Sequence, residues 1–211
     1  MSEPCVTCSC CGTPLDPEHA AVNFELPDEI AGIDDDEFQR LVDTHTYVVL
    51  TVRGHGSYLR VILPIRIDDG RTATFGVWVA VSEEDFYRVR DTWASESYSS
   101  LRFTGLLTNA IQPWGDQIVG ARVEIAVIYP DAIPHVVSSS QPLLREVLQR
   151  PQPTQDVLAP NGGAYVQLFE EVPPLVRVWR WLMGHGWGPA VQPVGPLERH
   201  GPDDHKTLKG S

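Results

Sequence analysis

The stretch "SYLRVILPIRIDDGRTATFGVWVAV", residues 57–81, decides the fold. Two runs rich in valine and isoleucine flank Asp68-Asp69-Gly70, a strong turn signal. The spacing predicts a hairpin with strands over 57–67 and 72–81. Period-two alternation sets Phe75, Val77, Val79 and Val81 on one face, with Trp78 and Ala80 on the other. Pro64 has no N–H to give to a ladder, which predicts a sheet edge or a bulge there.

Reading outward, "HTYVVLTVRG" (45–54) is a further strand that ends at the turn "GHG". After the hairpin, "SEEDFYRVRDTW" (82–93) reads as a helix. Ser82 is its N-cap, Asp85 follows at capping-box spacing, and Phe86, Val89 and Trp93 share a face. Strands are expected at 101–111, 119–130 and 132–138, with a turn at 112–117. A helix capped by Ser140, with Pro142 in its first turn, is expected over 140–150. Another is expected over 34–43, capped by Asp34 or Asp35, with the stripe Phe38, Leu41 and Val42. The fold class that follows is α+β: a mostly antiparallel sheet of about six strands with two or three helices packed on one face.

Around this 34–150 core the chain divides by composition. Residues 1–33 form an acidic segment with a cysteine knuckle, and 151–163 read as a linker. Residues 164–187 recover apolar character, and 188–211 read as a disordered tail. Leu175, Val178, Trp179, Leu182 and Met183 make a helical stripe that either docks a partner or packs back on its own domain.

Charge is uneven. The net charge is −12, and residues 1–38 hold ten acids and no lysine or arginine. That field repels nucleic acid and anionic membrane and favours a basic partner, in the manner of an immunity protein masking a basic toxin; the plainer reading is a solvated acidic face. No apolar run reaches the roughly 20 residues that span a bilayer. The first residues lack a secretory signal pattern, so the expectation is a cytoplasmic protein.

All four cysteines fall in "CVTCSCCG" (5–12). Cys8-x-x-Cys11-Gly12 has knuckle spacing, in which two thiolates bite one tetrahedral ion and the glycine allows the tight turn. Adjacent Cys10 and Cys11 strain a site that uses all four, so a subset of Cys5, Cys8, Cys10 and Cys11 with His19 is easier to build around zinc. Clustered free thiols are the bland alternative, and a redox role lacks its usual βαβ setting. No H-E-x-x-H, G-x-S-x-G, P-loop or dinucleotide fingerprint occurs. Arg60 and Trp78, on neighbouring strands, are candidate binding residues that would floor a groove; Trp78 packed under a helix is the alternative.

"CSCCG" (8–12), "YLRVILPI" (58–65), "FGVWVAVSEEDF" (75–86), "FTGLLTN" (103–109) and "IPHVVSSSQPL" (133–143) together resemble a bacterial family, domain of unknown function 2199, over residues of about 5–150. The resemblance implies an architecture and no established reaction, ligand or partner. The family's usual His-Pro pair is Gln141-Pro142 here. The reading that follows is a non-enzymatic binding or adaptor module with a structural zinc knuckle. The alternative is a small metal-dependent enzyme using the cysteines and a histidine base.

Overall fold

A computed structural model describes residues 21–161, apart from Ala94, Pro130 and Asp131. The chain runs through β1 (Ala21–Asn23), α1 (Asp28–Ala31), α2 (Asp35–Leu41), β2 (Val42–His45) and β3 (Val49–Val52). The long hairpin β4 (Gly56–Arg66) and β5 (Thr72–Val81) follows, then α3 (Glu83–Thr92) and a 3-10 turn (Glu96–Ser100). Next come β6 (Arg102–Leu107), β7 (Arg122–Ala126), β8 (His135–Ser139), α4 (Pro142–Gln149) and α5 (Thr154–Asn161).

The α+β expectation is wrong. β4, β5, β6, β7 and β8 pair in a closed ring, with β1, β2 and β3 added outside it. The described residues form a five-stranded barrel with extra strands and short helices, not an open sheet with helices layered on one face. The hairpin spacings do describe the antiparallel neighbours. They are silent on the closing pair, in which β8 runs parallel to β4 with Ile62 opposite His135. That pair joins residues far apart in sequence, and it is sealed by the bond from Ile62 N to Pro134 O at 2.8 Å.

The β4–β5 hairpin is the spine, in register from Ser57↔Val81 to Arg66↔Thr72. Its inner face pairs Leu59 with Val79, Val61 with Val77, Leu63 with Phe75 and Ile65 with Ala73. All eight are buried. Phe103 opposite Ile125 and Gly105 opposite Val123 carry the same filling into β6 and β7. A ring of five strands is narrow enough for side chains to fill. Gly105 marks the tight pass of β6 over β5, since a Cβ there would lie 3.0 Å from Ala80 O.

Each outer edge of the hairpin is shared. β3 lies along Gly56–Leu59 of β4, and β8 takes over at Ile62. β6 lies along Val79 and Ala80 of β5, and β1 takes Thr74–Gly76, running parallel to it. Pro64 therefore sits in an inner strand and not at a free edge. The N–H groups of Arg60 and Ile62 point away from β5, to Val48 O and Pro134 O. By the same alternation the Pro64 nitrogen faces that outer side, just past the last residue paired with β8, so the hairpin ladder loses no bond.

The caps follow local chemistry. Ser82 Oγ accepts from Asp85 N at 3.1 Å and Asp34 Oδ1 from Glu37 N at 2.9 Å. The cap of α4 is Gln141 and not Ser140: its Oε1 accepts from Leu144 N at 3.0 Å. The position where this chain departs from His-Pro thus starts the helix. Of residues 151–163, read from their prolines and glycines as linker, the described part to 161 holds a bridge between Gln152 and Ile67 and then α5. Thr154 Oγ1 donates to Asp68 Oδ1 at 2.9 Å, tying this segment to the β4–β5 turn.

His135, at the closing seam, has its Nδ1 buried and without a well-formed hydrogen bond. Burial holds its imidazole below the ordinary value of 6.5, against a smaller upward push from the Ile133 backbone. The folded state therefore binds this proton less readily than the unfolded chain. Its contribution to stability is complete above about pH 6.5 and declines as the pH falls toward the folded-state value. Urea midpoints measured from pH 7.5 to 5 should fall with acid, and His135→Gln should flatten that slope. An unchanged slope in the variant would refute the assignment.

Candidate functional site

The outer face of the hairpin carries the chemistry. Tyr58 pairs with Ala80 there and Arg60 with Trp78. Trp78 is fully buried, in a cluster with Ile30, Phe38, Leu50, Val52 and Tyr58. Its Nε1 donates to Phe24 O at 3.0 Å and Glu25 O at 3.2 Å. The segment following β1 thus closes over the tryptophan.

Arg60 lies at the rim of this cluster and is only 5% exposed. Its Cζ sits 4.5 Å from the centre of the Tyr47 ring and 4.7 Å from that of Trp78. Nη2 donates to Glu25 O at 3.3 Å, while Nε is buried with no acceptor. Among the described residues no carboxylate comes within ion-pair distance of Arg60. Burial pulls the guanidinium below its ordinary value, and Tyr47 and Glu25 push back. It stays charged all the same, because a guanidinium does not deprotonate in proteins.

Asn23, the last residue of β1, completes the group. Tyr47 Oη donates to its Oδ1 at 3.4 Å, and its Nδ2 is buried with no acceptor. A glycine is required beneath it. A Cβ on Gly76 would lie 2.1 Å from Asn23 Oδ1 and 3.7 Å from Arg60 Nη1. The result is one buried cation in an aromatic setting with two uncommitted N–H donors. Burying a charge without a counter-ion costs several kcal/mol. Contact with two rings returns only about 1–2 kcal/mol of that.

Arg60 and Trp78 are thus brought together as cross-strand neighbours, with Trp78 covered and Arg60 nearly so. Asn23 and Tyr47 were not legible as partners. Asn23 falls within the acidic segment, and Tyr47 reads as one more residue of a strand over 45–54, where the chain in fact turns between β2 and β3. Several acids have structural roles. Asp28 accepts from Asn109 Nδ2 at 2.8 Å and Ala110 N at 2.6 Å, Glu29 accepts from Tyr58 Oη at 2.7 Å, and Asp34 caps α2. The basic-partner reading is left with exposed side chains such as Asp36 and Glu37.

Cys5, Cys8, Cys10, Cys11 and His19 lie outside the described residues, as do the 164–187 stretch and the tail. Among the described residues no three His, Cys, Asp or Glu side chains converge to hold a metal. Nor is any helix there long and apolar enough to cross a membrane.

Neither the curated proteins nor the solved structures include a match to this chain. A family model does match, over residues 7–149, and its description is an uncharacterized protein conserved in bacteria, DUF2199. The barrel, its hairpin spine and the Arg60 cluster all fall within that span, and the chain belongs to this family.

Proposed function

We propose that the protein is a binding module with no reaction of its own, and that the Arg60 cluster on the outside of the filled barrel is its recognition element. The observation that carries this reading is the buried Arg60 guanidinium, set against Tyr47 and Trp78, with no carboxylate partner among the described residues. Such a group weakens the fold, and proteins hold destabilising groups where function needs them. An anionic group on a partner supplies the missing counter-charge.

Arg60→Met tests this. Replacing a buried charge by an apolar chain of similar length is neutral or stabilising by about 1–4 kcal/mol. The expected result is a denaturation midpoint equal to or above that of wild type, together with loss of a partner or ligand that the immobilised wild-type chain retains from a bacterial lysate. A variant that loses more than about 2 kcal/mol, or retains the same set as wild type, overturns the reading.

The same proposal assigns a structural zinc to a subset of Cys5, Cys8, Cys10 and Cys11 with His19, fastening the segment that leads into β1. The support is the C-x-x-C-G spacing and the short β1 that follows it. Metal analysis of the purified full chain should find about one zinc per molecule, with four protein ligands in the spectrum of a cobalt-substituted sample. A metal-free chain, or a site with bound water, removes the knuckle from the proposal.

A further inference from the structure

Resting on that reading, we propose that the group taken up at Arg60 is a carboxylate, one oxygen accepting from Arg60 Nε and the other from Asn23 Nδ2. Both donors are buried and lack acceptors. An unmet buried donor costs about 1–3 kcal/mol, so a ligand that satisfies both gains from each. They belong to neighbouring side chains, since Asn23 Oδ1 and Arg60 Nη1 flank one point beside Gly76.

Charge selects the class. Among the described residues Arg60 is the one full cation of the cluster: Tyr47 and Glu25 act on it, neither of them positive, and burial and Arg60 itself hold the nearby His45 imidazole below its ordinary value. A dianionic phosphate would meet a single guanidinium with Glu25 close by, whereas a monoanion is matched one to one. The aromatic setting fits an acid whose remaining atoms are apolar. Tyr47, 37% exposed in the turn between β2 and β3, sets its ring 4.5 Å from the guanidinium carbon.

The test follows the Arg60 Nε–H resonance in 15N-labelled full chain, assigned by its absence in Arg60→Met. Sodium acetate and sodium benzoate are titrated against sodium phosphate and sodium sulfate at matched ionic strength. The expected result is a saturable shift with the two carboxylates, tighter for benzoate, and none with phosphate or sulfate. Asn23→Ala should weaken binding by about tenfold, the loss of one charge-assisted hydrogen bond. Asn23→Asp, which keeps the shape and puts a carboxylate beside Arg60, should abolish it. Saturation by phosphate or sulfate, or no saturation by either acid, overturns the carboxylate assignment. If lysate retention still depends on Arg60 in that case, the binding module stands and only the ligand class fails. Saturation by benzoate with no Arg60-dependent retention does the reverse.

Discussion

Trp78→Ala should destabilise the protein by about 3–5 kcal/mol, the range for deleting a fully buried tryptophan. The residue has no exposed surface and joins two bodies of structure. Its ring anchors the cluster of Ile30, Phe38, Leu50, Val52 and Tyr58, and its indole N–H holds the carbonyls of Phe24 and Glu25. Alanine leaves a cavity and takes the indole donor from both carbonyls, of which Glu25 O keeps its bond from Arg60 Nη2. Trp78→Phe refills most of the volume and removes only the donor, so it should lose roughly 1–3 kcal/mol. Urea unfolding of the three proteins checks the order. A Trp78→Ala loss below about 1 kcal/mol would show that the covering segment does not depend on the ring.

Asn109→Ala should be the second large loss, about 2–4 kcal/mol, although the residue contributes no apolar surface. Asn109 is fully buried. Its Oδ1 accepts from Trp78 N at 2.8 Å, and its Nδ2 donates to Leu26 O at 2.9 Å and Asp28 Oδ1 at 2.8 Å. The reason lies on the outer edge of β5. β6 covers that edge at Val79 and Ala80, and β1 covers it at Thr74–Gly76. Between them, at Trp78, no strand is present, and Thr108 and Asn109 supply the missing bonds. Thr108 N and Oγ1 donate to Trp78 O at 3.0 and 2.8 Å. The asparagine thus stands in for a strand. Hydrogen exchange gives the sharper readout: the Trp78 amide should be among the most protected in wild type and lose that protection in Asn109→Ala. Unchanged protection would refute the role.

The local elements were readable because their signals are local. The alternation from Phe75 to Val79 marks one buried face, and the Ser82–Asp85 pair marks the start of α3. The barrel was not, because its closing bond joins Ile62 to the β8 end of the chain, and nothing in either segment names the other. The α5 segment was hidden by its prolines, one of which, Pro160, lies inside the helix. In the site, Arg60 and Trp78 could be paired because they face each other across a hairpin whose turn fixes the register. Asn23 could not. Its place depends on a three-residue parallel strand and on the missing side chain of Gly76, a fit that appears only once the chain is folded.

The anchoring of both flanks has a topological consequence. The described residues join the barrel at Ala21, opposite Thr74, and α5 starts at Thr154, which with Gln152 bonds to the Ile67–Asp69 corner. The start of β1 and the start of α5 are therefore both held beside the β4–β5 turn. In a chain trimmed to these two points, a short peptide bridge could splice them and let the sequence be reopened at the exposed Arg53–His55 bend.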